Sequence, residues 1–332
     1  MRKIKIAQIG INTYSHSNEI FGQICKRSDI FEVVGYVLPE NERERIPHKA
    51  KALEGYKELT LEEVLNNPEI EAVTIETDEI YLTKYALMAA NANKHIHMEK
   101  PGGRELSNFE ELISVMKKTG KVFHTGYMYR YNPYISELID RVKNGELGEI
   151  ISVEAQMNCT HPAKARQWLE NLPGGMMFYL GCHLVDLIFR IQGTPERIIP
   201  MNKCSGLDGV TAKDFGFAVF EYKNGISFAK TTAVELGGFA RRQLVVNGSK
   251  ATVELNPLEW YAKGSGGLQT GRTVRTSTDW NKWETQEKSK AVDRYDNMMY
   301  SFAQMVRGEK QNPYTLDYEL ELYKTVLKAC EA

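Results

Sequence analysis

The stretch up to about residue 125 alternates short apolar, β-branched runs with amphipathic helical segments, and few folds accommodate that rhythm. IKIAQIG is followed by a helical pattern near Ser17 to Lys26, then by EVVGYVL, AVTIE, HIHM and KVFHTGY. Strands that alternate with helices are joined by crossovers, and crossovers make neighbouring strands parallel. An α/β domain with a parallel sheet is therefore predicted over residues 1–124. Helix ends carry their own signals. Thr60 with Glu63 and Ser107 with Glu110 each fit a capping box, in which side chain and backbone cap one another, and Gly120 fits a helix stop.

The rhythm changes after about Pro133. One helix, YISELIDRVKNGELG, leads into ISVEAQMN, and FGFAVFEY, GISFAKTTAV, RRQLVVNG and KATVEL then follow as strands separated by turns such as Lys223-Asn224-Gly225 and Asn247-Gly248-Ser249. Residues 125–332 thus read as an α+β domain with an open, mostly antiparallel sheet. An open sheet must cover its second face, by helices or by another copy of the chain, so a homo-oligomer formed through that sheet is expected. The helical tail from Asp293 is expected to pack back, with its last helices against the first domain.

Bulk properties narrow the class. With 332 residues, 42% of them hydrophobic, the chain can bury two cores. Lys and Arg total 42 against 43 acids, so no basic field exists to hold nucleic acid or an anionic membrane. No apolar run approaches the ~20 residues that span a bilayer, and the opening MRKIKIAQIG turns polar again, so a cytoplasmic location is expected. Cys25, Cys159, Cys182, Cys204 and Cys330 are scattered and form no Cys-x-x-Cys pair, which argues against a disulfide framework and against a metal site.

The end of the first strand is where a Rossmann fold places the glycines that let a pyrophosphate approach the backbone. In GINTYSHS, Gly10 is present, but Asn12 and Ser15 stand at the second and third glycine positions, with Thr13 between them. Asn tolerates left-handed backbone angles and Ser15 is small, so the loop is weakened as a nucleotide site without being abolished. The ribose-reading position falls in YVLPENERER at Leu38, which is not an acid. Glu40 and Glu42 suit ribose hydroxyls and Arg43 and Arg45 suit a 2′-phosphate, while a solvated loop is an equal alternative. NAD and NADP stay equally open.

KHIHMEKPGG runs a strand straight into Glu99-Lys100-Pro101, which is similar to the EKP signature of the Gfo/Idh/MocA family. The segments LEEVLNNPEIEAVTIET, GYMYRYNPYISELIDRVKNGELGEI and QWLENLPGGMMFYLGCHLVDLIFRIQG extend the resemblance over most of the chain, the last ending in His183-x-x-Asp186. The resemblance implies a Rossmann domain, a second α/β domain, and a site between them that uses NAD or NADP on a sugar, cyclitol or related hydroxy compound. It also implies that Lys100 orients the substrate hydroxyl, after a Pro101 bond often cis in the family, and that Glu99, Lys100 and Thr77 lie beside the cofactor with Gly10, Asn12, Thr13, Ser15 and Leu38.

Two departures matter. Many members carry Asp four residues before the histidine, where this chain has Tyr179. Positions four apart share a helical face, so Tyr179 and His183 can both reach one substrate oxygen, with Tyr179 or His183 as acid or base; core packing is the competing reading for each. Asp186 is read as orienting His183. After the strand AVTIE the family's Thr-Pro-Asn is replaced by Glu76-Thr77-Asp78-Glu79, an acidic run unfavourable beside phosphates unless it turns away or binds ribose. Tyr127, Arg130, Asn158, His161, Arg166 and Trp168 are further candidates for the substrate cleft, with core packing or domain bracing as their plainer roles. The leading reading is an NAD(P)-dependent dehydrogenase or reductase. A non-catalytic nucleotide- or sugar-sensing regulator on the same fold is the rival, and redox-neutral glycoside cleavage with a tightly held NAD is a third reading.

Overall fold

The structure, a computed structural model, describes residues 2–261, 267–279 and 285–331. Its residues cluster into two compact units, one of Met1–Tyr127 with Tyr295–Tyr323 and one of Met128–Arg294 with Lys324–Ala332.

The first unit holds a five-stranded sheet of β1 (Ile4–Ile9), β2 (Phe31–Val37), β3 (Ala72–Ile75), β4 (His95–Met98) and β5 (Phe123–Thr125), in the order β2-β1-β3-β4-β5. All its pairings are parallel, as the alternating rhythm predicted. Ile4, Ile6, Ile9, Val73, Ile75, Ile96 and Met98 are fully buried, which is how a strand covered on both faces differs from an alternating one. Helices Ser17–Lys26, Leu82–Asn91 and Leu106–Thr119 supply connections, and the rings of His97 and His124 meet Phe302 of the late helix Asp296–Val306 at 5.9 and 5.4 Å. The chain order reverses between β1 and β3, and open α/β sheets bind ligands at the carboxyl ends of strands flanking such a switch.

The helix signals fared unevenly. Thr60 and Glu63 form both halves of a capping box, and Gly120 ends its helix at φ 64°. The second box, at Ser107 and Glu110, is absent: that helix begins at Leu106 with Glu105 at its N-cap, so Ser107 lies within the first turn. The box pattern also occurs inside helices, where Ser has no exposed amide to cap.

The second unit is built on an eight-stranded sheet. Its strands are β6 (Ile150–Asn158), β7 (Arg197–Pro200), β8 (Phe215–Tyr222), β9 (Gly225–Thr232), β10 (Gln243–Gly248), β11 (Thr252–Leu255), β14 (Gly271–Arg275) and β15 (Thr285–Lys288). The order is β15-β14-β11-β10-β6-β9-β8-β7, and β12 (Trp260–Tyr261) pairs separately with β13 (Leu268–Gln269). Every pairing in the large sheet is antiparallel except β6 with β9. Burial alternates along β8, β9 and β10, with Ala218, Phe220, Ala229, Leu244 and Val246 turned into the core beside the apolar helix Cys182–Gln192. On the other face Phe217 stacks on Phe228 at 5.5 Å and Ile226 is exposed. Among the described residues no helix is long and apolar enough to cross a membrane.

Candidate active site

In the first unit the carboxyl ends of β1 and β3 meet at Gly10 and Thr77. Gly10 has φ 86°, and a Cβ there would lie 2.3 Å from Cγ2 of Thr77, so no other residue lets these two strand ends close up. In strand, glycine turn and helix, the backbone fits a dinucleotide. The loop's amides, however, are already engaged. Ile11 N–H donates to Glu42 Oε2 at 3.0 Å, Asn12 N–H to Ser17 Oγ at 3.1 Å and Thr13 N–H to Asp78 Oδ1 at 2.7 Å. Tyr14 and Ser15 N–H both donate to Asn12 Oδ1 at 2.8 Å. Asn12 therefore does replace its glycine, by folding the loop around its own amide: its Nδ2 also donates to Thr77 O and Glu79 Oε2, both at 3.0 Å.

Beyond the loop, Ser15 Oγ donates to Glu99 Oε1 at 2.8 Å, and Lys100 Nζ stands 3.4 Å from that same oxygen. Lys100 is 4% exposed at the carboxyl end of β4, and its bond to Pro101 is cis. Lys49 Nζ donates to the carbonyls of Asn12 and Ser15 at 2.6 Å each, and Arg45 pairs with Asp78 at 2.9 Å. Gly10, Asn12, Thr13, Ser15, Thr77, Glu99 and Lys100 thus form one cluster. Leu38, just past β2, lies at its margin, and Tyr127 is buried after β5.

Burial dominates the titration of this cluster. It pushes Glu42 up to about 9, against the stabilising amide of Ile11, and Glu79 up to about 7, against the charge of Lys100 and the Asn12 amide. Glu76 is wholly buried and raised well above the carboxylate range, and His97, whose Nε2 lies 3.6 Å away, is pushed down to about 3. His97 is therefore neutral near pH 7, and its contact with Glu76 is not an ion pair.

The ribose-reading segment corrects the expectations placed on it. Glu40 accepts from Tyr85 Oη at 2.6 Å and Lys84 Nζ at 2.5 Å, and Arg43 reaches Tyr36 and Glu58. Glu42 is fully buried on the loop amide, not solvated as its run suggests.

The second unit contains the other candidates. Met177–Gly181 is a π-turn leading into the α-helix Cys182–Gln192, so the regular helical register that placed Tyr179 and His183 on one face is interrupted. Tyr179 meets Trp168 edge-on at 5.7 Å and His161 at 6.2 Å, while His183 meets the ring of Tyr129 at 5.5 Å. Asn158 is fully buried, its Nδ2 donating to Gln156 and its Oδ1 without a partner. Arg166 is spent on Asp214 at 2.9 Å, on Asp208 and on the carbonyls of His161 and Leu207.

Arg130 grips Asp186 through Nε at 3.0 Å and Nη2 at 2.7 Å, with both side chains 1% exposed. A pair buried this fully is costly to break from one side, since the survivor keeps its charge in a poor solvent. Asp186→Ala is expected to lower stability by about 3–5 kcal/mol in urea denaturation, and Arg130→Met with Asp186→Leu to recover most of that. A loss below 1 kcal/mol for the single variant counts against this bracing role. A second network escaped the sequence altogether: Glu259 accepts from Tyr129 Oη at 3.0 Å and is held by Arg242 and by Arg294 at 2.8 Å, which keeps its carboxyl below the usual range despite burial.

A parallel sheet switched at a glycine turn, with a buried lysine at a strand end, is the architecture of a dinucleotide-binding fold. Residues 4–127 match the oxidoreductase family model with NAD-binding Rossmann fold, and residues 135–254 match the GFO/IDH/MocA C-terminal domain. The chain belongs to the Gfo/Idh/MocA family of oxidoreductases, and its first unit is that family's NAD(P)-binding Rossmann fold. It is similar to the uncharacterized oxidoreductase ORF334 of Rhizobium meliloti, 26% identical over 206 residues, spanning 59% of this chain and only 58% of that relative. Trans-1,2-dihydrobenzene-1,2-diol dehydrogenase of Bos taurus is 24% identical over 261 residues, 71% of this chain and 75% of the relative. The structure of KijD10, a 3-ketoreductase from Actinomadura kijaniata in complex with NADP and TDP-benzene, superposes with a TM-score of 0.79 at 16% identity, covering 98% of this chain and 96% of that one. At that identity the likeness shows the fold alone.

Proposed function

We propose that this chain is an NAD(P)-dependent dehydrogenase or reductase acting on a hydroxyl or carbonyl carbon of a sugar, cyclitol or related cyclic polyol. The observation that carries the reading is Lys100, held in a buried position at the carboxyl end of β4 beside Glu99. Relatives named as a diol dehydrogenase, an NADP-dependent scyllo-inositol 2-dehydrogenase and a D-glucoside 3-dehydrogenase support the substrate class. When bound, the nicotinamide ring supplies the hydride chemistry. Gly10, Asn12, Thr13 and Ser15 would face its pyrophosphate, with Leu38, Thr77 and Glu99 beside them.

The chain's own residues handle the proton. Lys100 orients the substrate oxygen and favours its ionised form, and His183 or Tyr179 carries the proton to or from it. Of the residues first assigned to substrate, Trp168 offers an aromatic face and Asn158 an amide oxygen with unfilled hydrogen-bonding capacity, while Tyr127 packs and Arg130 and Asp186 brace the fold. We place the protein in the cytoplasm, assembled as a homo-oligomer through the outer face of its eight-stranded sheet.

The test is turnover of NAD⁺ or NADP⁺ across a panel of sugars and cyclitols, with calorimetry against both reduced cofactors. Turnover of a cyclic polyol is the expected result, and absence of turnover of every panel member with either cofactor at saturating concentration overturns the reading. The engaged loop amides favour a second reading, a nucleotide- or sugar-sensing regulator. Binding that shifts assembly, without turnover of any panel member, identifies that role.

A further inference from the structure

Two of the loop's amides are held by carboxyl side chains of the chain itself. Thr13 N–H is held by Asp78 and Ile11 N–H by Glu42, at 2.7 and 3.0 Å. Amides at a strand-to-helix turn of a Rossmann sheet point where a dinucleotide's pyrophosphate lies, because its partial positive charges suit an anion. Here carboxyl oxygens from within the fold have taken that role. We propose that Asp78 and Glu42 are intrachain caps of the Gly10–Ser15 loop, which a dinucleotide must displace in order to bind, so that this chain discriminates against dinucleotides through its own acids. The inference rests on the NAD(P) reading above and adds to it a specificity-determining pair.

The cap is a built one. Asp78 is 3% exposed and Glu42 is fully buried. Asp78 is further held by Arg45, which keeps its second oxygen occupied at 2.9 Å. Glu79 stands behind it, fully buried, with Oε1 lacking a partner and Oε2 accepting from Asn12. A pyrophosphate entering this loop carries two negative charges into the company of Asp78, Glu79 and Glu99, and must also replace hydrogen bonds already made at good length. Lys49 does not offset this, since it lies on the carbonyls of Asn12 and Ser15 and fixes the loop in its capped form.

Calorimetry of the full chain with NADH, NADPH and ADP-ribose tests the proposal, ADP-ribose carrying the pyrophosphate without the nicotinamide. Asp78→Ala is expected to bind all three at least tenfold more tightly than the unaltered chain, and Asp78→Asn, which keeps the acceptor but not the charge, to gain less. Glu42→Ala, which removes the acceptor from the Ile11 amide, provides an independent gain should Asp78→Ala fold poorly, as judged by its melting temperature. Low-micromolar NADH affinity in the unaltered chain, improved less than twofold by any folded variant, overturns the caps and leaves the oxidoreductase reading standing. Failure of every variant to bind any of the three ligands overturns that reading and the caps with it.

Discussion

Replacing Lys100 by methionine is expected to lower kcat/KM on the best substrate of the polyol panel by about 10²–10⁴-fold, the range of a positioned proton-handling group. Methionine retains the length and the apolar stem of lysine and removes only the ammonium. That ammonium is the strongest influence opposing the upward shift of Glu79, and it stands 3.4 Å from Glu99. Its loss therefore has a second signature: Glu79 stays protonated to higher pH, read as an upward move of its carboxyl titration by NMR. Lys100→Arg keeps the charge but places a planar fork where a compact point charge stood, and is expected to recover the Glu79 titration without the rate. A Lys100→Met protein with more than a tenth of the original kcat/KM removes Lys100 from the reaction.

The second large effect concerns stability. Glu42 and Glu79 have folded pKa values of about 9 and about 7, above the ordinary 4.5. A carboxyl raised on folding keeps its proton in the folded chain at pH values where the unfolded chain has released it. Its contribution is fully present below about 4.5 and is lost as pH rises toward the folded value, at up to about 1.4 kcal/mol per pH unit. His97 and His95 act in the opposite sense, being pushed down to about 3 and about 4 by burial, so their contribution grows as pH rises toward 6.5. Above pH 7 the histidines are neutral in both states and Glu79 completes its titration, while Glu42 goes on losing its contribution up to about 9. Urea denaturation between pH 7 and 9 is therefore expected to show stability falling by about 1 kcal/mol per unit, and Glu42→Gln to flatten that fall. Equal slopes for the two proteins show that Glu42 is ionised in its buried site.

What the sequence disclosed follows the range of the interactions involved. Helix Ser17–Lys26, strand β8 and the Thr60 cap rest on neighbours within a few residues, and they stand where the pattern placed them. The buried lysine after HIHM was legible because a strand and a turn residue frame it locally. The role of Glu42 was hidden, since the amide that buries it lies 31 residues away, and ENERER reads as a solvated run. Arg130 and Asp186, 56 positions apart, gave no sign that each had the other for a partner. The acidic run Glu76 to Glu79 was visible as an anomaly, but the bonds that tie Asp78 and Glu79 to the loop join residues 65 and 67 positions apart and leave no local trace. The π-turn at Met177–Gly181 has no local signature at all.

The parallel join of β6 to β9 bears on how this chain is made. Strand β6 is complete at Asn158, yet neither strand that flanks it exists until synthesis reaches Gly225, and its other neighbour starts at Gln243. While residues 159–224 emerge, the middle of the future sheet has two open edges and nothing of its own to pair with. The growing chain thus passes through a long interval in which its most central strand is its most adhesive one, and folding of the second unit waits on distant pairings that close slowly.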